Sequence, residues 1–216
     1  LSELKGQKVE DAAKILRPSV PPQAGFRFLS HLDVFFKGRE FKTNSLGFRG
    51  EEFSKNKREG VLRIGVVGDS VASGWGVGTN EVYSHVLEKL LEQECKTEVE
   101  IFNLSIPGQS ASQEYFVLRE FINYNFDYII LNYVGNDWVD ESVERPRDYF
   151  DSPSYALNFL MVKLLSQLGE FKDRSSMEWR PVVGVVDKRI NNLPAAYEAM
   201  GQLLNKRGLK ALVLMD

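Results

Sequence analysis

Short apolar runs, separated by amphipathic segments, constrain the fold of this chain more than any other feature. Four runs rich in β-branched residues occupy positions 61–68, 99–104, 128–134 and 209–215. Their apolar residues are nearly continuous instead of alternating, which is typical of strands buried on both faces of a parallel sheet. The pattern therefore predicts four such strands, and it predicts that the last is as buried as the others.

The segments between the runs have helical periodicity. Helices are predicted at residues 80–94, 112–124 and 194–207, the last beginning with Pro194 and stopping at Gly208. In the first, Thr79 or Asn80 is the expected N-cap. Its apolar stripe contains Val82, Tyr83, Val86, Leu87, Leu90 and Leu91. Strands that alternate with helices predict an α/β fold, a parallel sheet with helices on both faces.

The parts of the chain outside this pattern suggest how it is organised. Residues 1–60 lack a strong period and contain a proline cluster, so we expect an N-terminal arm that packs on a core formed by residues 61–216. Residues 138–192 form a long insertion with an apolar helix at 155–168, expected to cover a sheet edge or cap a site. Because the chain stops at Asp216, directly after an apolar run, we expect the C-terminal part of the domain to be missing.

Composition excludes several classes of protein. One cysteine, Cys95, and two histidines, His31 and His85, exclude a disulfide framework and a cysteine- or histidine-rich metal centre. A net charge of −3 with scattered basic residues gives no footprint for nucleic acid. No apolar stretch is long enough to span a bilayer. We therefore expect no metal or organic cofactor, no nucleic acid partner and no membrane span. The oligomeric state is left open, and a start without methionine favours a trimmed, exported protein.

Three short motifs each follow a predicted strand, and together they carry the candidate chemistry. They are Gly68-Asp69-Ser70, then Pro107-Gly108-Gln109-Ser110, then Gly135-Asn136-Asp137. The carboxyl ends of parallel strands lie along one edge of a sheet, which is where ligands bind. We therefore expect residues from all three motifs to converge on one small volume.

The residue types in these motifs suit acyl transfer. Ser70, at a strand-to-helix turn, would expose its hydroxyl as a nucleophile. The backbone N–H groups of Ser70 and Gly108, with the side-chain amide of Asn136, would form a three-donor oxyanion hole. Asp69 is expected to brace the turn. Trp75 and Trp138 are candidates to line a pocket, with ordinary packing as the alternative.

The order of the three motifs resembles that of the SGNH hydrolase superfamily, the GDSL-type esterases. The resemblance implies a flavodoxin-like three-layer α/β/α sandwich and hydrolysis of carboxylic esters through an acyl-enzyme. It implies that Ser70 is the nucleophile and that Gly108 and Asn136 complete the oxyanion hole. The stretch 44–50 is also similar to a segment that precedes the first motif in some bacterial members. The expected substrate is a small-molecule or saccharide ester.

One part of the family pattern is absent from this sequence, and its absence leaves alternative functions open. The family's base is a histidine in an Asp-x-x-His motif near the C-terminus, and no such tetrapeptide occurs here. We expect it beyond Asp216, and a chain that naturally ended there would not turn over an activated ester. The alternatives are an O-acyltransferase that acts on cell-envelope or exopolysaccharide sugars, and a non-catalytic carbohydrate- or lipid-binding module.

The glycines at 74–78 fit neither a P-loop nor a dinucleotide fingerprint, so a mononucleotide- or flavin-binding protein rests on fold analogy alone.

Overall fold

The computed structural model describes residues 4–20, 22–133 and 193–215. The strands are β1 (Lys8–Val9), β2 (Leu16–Pro18), β3 (Phe26–Phe28), β4 (Asp33–Phe36), β5 (Arg39–Lys42), β6 (Leu62–Val67), β7 (Val99–Asn103), β8 (Tyr128–Tyr133) and β9 (Lys210–Met215). The α-helices are α1 (Ser70–Ser73), α2 (Tyr83–Cys95), α3 (Ala111–Phe121) and α4 (Leu193–Arg207). Short 3₁₀ turns cover Ala12–Lys14, Pro22–Ala24 and Thr79–Glu81.

A parallel sheet lies at the centre of the described chain. It contains β6 to β9 in the spatial order β7-β6-β8-β9. The strand β6 pairs in parallel with both β7 and β8, and β8 pairs in parallel with β9. Numbered within this sheet alone, the order is 2-1-3-4, as at the start of a flavodoxin-like sheet. All four strands predicted from the apolar runs are therefore confirmed.

Helices cover both faces of this sheet. Ile64, Val66 and Ile130 point to one face, where Leu87 and Leu91 of α2 pack against them. The neighbouring residues on the same strands point to the other face and join a larger cluster with α3 and α4. That cluster includes Val67, Ile129, Leu131, Phe116, Leu118, Phe121, Met200 and Leu204. The predicted three-layer α/β/α arrangement is confirmed.

The arm forms two small sheets of its own and shares the larger cluster. The strands β1, β4 and β5 make one sheet, and β2 pairs antiparallel with β3 in the other. Phe28 and Phe48 are fully buried in the cluster that contains Phe121 of α3. The Arg27 guanidinium, 5.0 Å from the centre of the Phe48 ring, also bonds Glu120 at 2.7 Å. The arm is thereby packed on α3.

Two predictions about burial are wrong. The strand β9 pairs only with β8 among the described strands, and Leu212, Val213 and Met215 are 57%, 41% and 78% exposed. Like β7, β9 lies at an edge of the described sheet, but its side chains are less covered than those of β7, a difference that an apolar run does not reveal. In α2, Val86 and Leu90 of the predicted stripe are 43% and 52% exposed.

The start of α2 also differs from the prediction. Residues 79–81 form a separate 3₁₀ turn with Gly78 at its N-cap, and Val82 is the N-cap of α2 itself. The predicted caps, Thr79 and Asn80, therefore lie inside that turn. The insertion at 138–192 and its apolar helix at 155–168 lie outside the described residues. No helix in the described ranges is long and apolar enough to cross a membrane.

Candidate active site

The first motif forms a tight connection between β6 and α1. The strand ends at Val67, and Ser70 is the first residue of α1. Asp69 is fully buried and caps this helix, since its Oδ1 accepts a hydrogen bond of 3.2 Å from the Val71 N–H. Ser70 is half-buried, and its hydroxyl donates to Asp69 Oδ2 at 3.3 Å. The serine therefore stands at the carboxyl end of β6 with its hydroxyl not enclosed in the core.

Gly68 makes this connection possible because β6, α1 and β8 approach so closely here that no side chain would fit between them. A Cβ at this position would lie 2.9 Å from the Cβ atoms of both Ala72 and Asn132. Any side chain would therefore push α1 away from the sheet. The glycine keeps the turn that carries Ser70 in direct contact with the neighbouring strand β8.

The second motif runs beside the first. Beyond the end of β7, the Leu104 N–H donates to Val66 O at 2.8 Å, and the Ile106 N–H donates to Gly68 O at 3.3 Å. The two loops thus continue the pairing of β6 and β7 past the sheet. Gly108 follows with φ of +77°, a left-handed conformation that favours glycine, and it is half-buried. The next turn leads directly into α3.

Asn103 joins the two loops through its side chain. Its Nδ2 donates to Ala72 O of α1 at 2.7 Å and to Ser84 Oγ of α2 at 3.0 Å. Its Oδ1 accepts from the Ser105 N–H at 3.1 Å. The side chain is buried, so these bonds are shielded from water. One amide therefore links the helix that starts at Ser70 to the loop that leads to Gly108.

The third motif cannot be placed in the same way. Asn136 and its neighbours Gly135 and Asp137 lie outside the described residues, and so does Trp138. The described part of the chain does give the strand that precedes them: β8 pairs with β6 and ends at Tyr133. The role of Asn136 as a third oxyanion donor remains a prediction.

Neither histidine is hydrogen-bonded to Ser70. His31 is exposed, and its Nδ1 lies 3.8 Å from Glu52 Oε1. His85 of α2 is half-buried, with its Nδ1 4.0 Å from Glu88 Oε1. The histidine, cysteine and carboxylate side chains of the described residues form no cluster suited to a metal ion. Trp75 packs edge-on against Phe36, with 4.9 Å between ring centres.

Three residues support these loops in a way that the motifs alone did not reveal. Arg49 of the arm binds carbonyls behind α1, Gln109 binds carbonyls of the arm, and Asn103 joins the two loops. All three are buried polar residues within or beside the quoted motifs. No local sequence pattern indicates the partners of these three side chains, because the partners are distant in the chain.

No model of a known protein family matches the chain. No curated protein matches it either. Solved structures that do match include esterase AlinE4, described as an SGNH-hydrolase family esterase, at 16% identity and a TM-score of 0.36. A variant of that enzyme with a serine replaced by alanine matches at 16% identity and a TM-score of 0.35. Each match covers 72% of this chain and 77% of the other.

A similarity of this size identifies no functional residue, so the candidate site depends on its own geometry. In that geometry Ser70 and Gly108 lie on neighbouring, hydrogen-bonded loops at the carboxyl edge of a parallel sheet.

Proposed function

We propose that this protein is a serine esterase or acylhydrolase in which Ser70 is the nucleophile. The Ser70 Oγ forms a bond to the carbonyl carbon of a carboxylic ester, and a general base takes the hydroxyl proton. The bond to the alcohol oxygen then breaks, and that oxygen receives the proton. Water attacks the resulting acyl-enzyme and releases the carboxylic acid. No cofactor takes part in this sequence of steps.

The negative charge of the tetrahedral intermediate needs donors that are already in position. The proposed donors are the N–H groups of Ser70 and Gly108 and the side-chain amide of Asn136. The positive φ of Gly108 and its lack of a side chain suit close approach of its N–H to an oxyanion. Removing one donor of this kind typically lowers turnover by about 10²- to 10³-fold.

One observation carries the proposal more than any other. The turn that begins α1 at Ser70 and the loop that leads to Gly108 are held together by the bond from the Ile106 N–H to Gly68 O. Ser70 at that junction is half-buried, as a nucleophile that a small ester reaches from one side needs to be. Helix capping explains neither residue, because the N-cap of α1 is Asp69 and the left-handed Gly108 lies on the neighbouring loop.

The base that receives the proton is not among the groups bonded to Ser70 in the described residues. Asp69 is bonded to the hydroxyl, but its other oxygen is used in capping α1. The family pattern supplies a histidine for this role. Every test of activity uses the complete natural chain.

The test compares two serines of the same short helix. In the full-length protein, Ser70→Ala is expected to abolish hydrolysis of p-nitrophenyl acetate because the nucleophile is removed. Ser73→Ala is the matched control, since the Ser73 hydroxyl is buried and has no hydrogen-bond partner in the described residues. It is expected to retain the wild-type rate. Undiminished hydrolysis by Ser70→Ala would disprove the assignment.

A further inference from the structure

The arm places a buried cation directly behind the helix that carries Ser70. The Nη1 of Arg49 donates to Gly74 O at 2.6 Å and to Ser73 O at 3.3 Å, and its Nη2 donates to Val77 O at 3.1 Å. Carbonyl groups at the end of a helix have no partner within that helix. A single side chain from the arm therefore caps the C-terminal end of α1 and the turn behind it.

This cation is held without a carboxylate. Arg49 is buried, and no ion pair in the described residues includes it. Burial lowers the pKa of Arg49 to about 10, so the guanidinium remains protonated at neutral pH. Its charge is offset by the carbonyl oxygens and by the Phe41 ring, whose centre lies 4.6 Å from Cζ. A buried charge needs such partners in place, which favours one geometry of the turn.

The turn that Arg49 holds closes on Ser70 itself. The Trp75 N–H donates to Ser70 O at 2.9 Å, and Gly74 is the left-handed C-cap of α1. The helix has only four residues, so its two ends cannot move independently. A Cβ at position 74 would lie 3.1 Å from Arg49 Nη1, which shows how closely the guanidinium approaches the backbone.

A second buried link joins the arm to the other loop. Gln109 follows Gly108, and its Nε2 donates to Ala24 O at 2.8 Å and to Phe26 O at 3.2 Å. Both acceptors belong to the arm, just before and at the start of β3. The arm thus contacts the Ser70 turn through Arg49 and the Gly108 loop through Gln109.

We propose that Arg49 and Gln109 are positioning residues, which hold the Ser70 hydroxyl and the Gly108 N–H in register through the arm. The inference rests on the proposed function, and it adds that residues of the arm set the geometry of the site. Neither residue needs to touch the substrate. Because a misplacement of about 1 Å can cost about 10²-fold in rate, the effect is expected in turnover.

The experiment separates positioning from stability. In the full-length protein, kcat and KM for p-nitrophenyl acetate are measured for Arg49→Met, Arg49→Lys and Gln109→Met. The temperature is one at which circular dichroism shows each variant to be folded. We expect Arg49→Met to lower kcat by roughly 10- to 100-fold with a smaller change in KM. Arg49→Lys should recover part of the loss, since an ammonium group keeps the charge but lacks the planar fork.

The matched control is another buried arginine of the arm. Arg27 donates to Ser19 of the arm and to Glu120 of α3, so none of its side-chain hydrogen bonds in the described residues reaches a site loop. Arg27→Met is expected to lower the melting temperature while kcat per folded molecule stays at the wild-type value. Wild-type kcat in folded Arg49→Met and Gln109→Met would overturn the inference.

A second measurement does not depend on ester hydrolysis. Hydrogen exchange of the Gly74 and Trp75 amides reports the order of the turn directly, because both are hydrogen-bonded within it. Faster exchange in Arg49→Met or Arg49→Lys than in Arg27→Met is expected. Equal exchange rates in all three variants would contradict the role of Arg49, whether or not the wild-type protein hydrolyses an ester. A wild-type protein that hydrolyses no ester would refute the proposed function separately.

Discussion

Glu88 shows how one side chain of α2 combines burial with a backbone contact. Its Oε2 accepts a hydrogen bond of 2.8 Å from the Ile101 N–H of β7. Burial raises the pKa of Glu88 above its ordinary value, and this hydrogen bond opposes the rise only in part. The nearby carboxylates of Glu92, Glu51 and Glu100 raise the pKa further. Ionised Glu88 therefore destabilises the folded state.

The sign of the pH dependence follows from that shift. A carboxyl group with a raised folded-state pKa binds more protons when folded, so stability falls as pH rises from the ordinary value of 4.5 through the raised one. Glu88→Gln is therefore expected to melt at a higher temperature than wild type at pH 7. The difference should shrink toward pH 4, where Glu88 is protonated.

Thermal melts across this pH range test the prediction. The control is Glu94→Gln, which makes the same change of charge at an exposed position of the same helix. If Glu94→Gln changed the melting temperature as much as Glu88→Gln, burial would not be the cause. A Glu88→Gln protein less stable than wild type at pH 7 would contradict the account.

Single residues were predictable where a motif carries them and not where packing supplies the partner. Ser70 follows a strand and starts a helix, as its tripeptide predicts. The guanidinium of Arg49 instead meets carbonyls 24, 25 and 28 positions away. The amide of Gln109 meets carbonyls 85 and 83 positions away. Such contacts depend on how the arm folds onto the sheet, and no local pattern encodes them.

At the scale of elements, α2 shows what periodicity leaves undecided. The predicted stripe is wider than the face that packs on the sheet. Tyr83, Leu87 and Leu91 pack on the sheet cluster, while Val86 and Leu90 are exposed. Ser84 is buried, and its hydroxyl accepts a hydrogen bond from the Asn103 side chain. A polar residue thus occupies part of the covered face of α2, where an apolar stripe alone would not place it.

This orientation predicts different costs for two leucines. Leu87→Ala should lower the free energy of unfolding by about 2 kcal/mol, because the side chain packs against the sheet. Leu90→Ala should change it by no more than about 0.5 kcal/mol, because the side chain is half exposed. Urea denaturation of both variants measures the difference. Equal losses of unfolding free energy in the two variants would contradict this orientation of α2 on the sheet.

The strands illustrate the same limit. Their positions and parallel pairing followed from the apolar runs, since strands, intervening helices and right-handed connections leave few topologies. The exposure of β9 did not follow, because an edge strand and a central strand have the same apolar composition. Neighbours, not composition, decide burial here.

At the scale of the whole molecule, the arm and the sheet domain form one packed unit in the described residues. Aromatic side chains of the arm lie in the cluster that contains Phe121 of α3 and Phe102 of β7. Arg63, fully buried at the base of the sheet, donates to the carbonyl oxygens of Lys55 and Tyr124. The segment between arm and sheet is therefore fastened to the core, at the edge opposite the candidate site.

The site also depends on this whole-molecule arrangement. Two of its loops are described and are hydrogen-bonded to each other, while the third, with Asn136, is predicted from the sequence alone. The motifs predict a shared sheet edge, and the described loops of the first two lie side by side at the carboxyl ends of β6 and β7. The motif order did not predict that buried hydrogen bonds connect the arm to both described loops of the site.

The central claim, an activated Ser70 hydroxyl at this edge, has one direct test. The full-length protein is treated with a fluorophosphonate, digested, and the adduct is located by mass spectrometry. We expect a single adduct, on Ser70, with none formed in the Ser70→Ala variant and the normal adduct formed in Ser73→Ala. A protein that hydrolyses esters yet carries its adduct on another residue, or leaves Ser70 unmodified, would contradict the account.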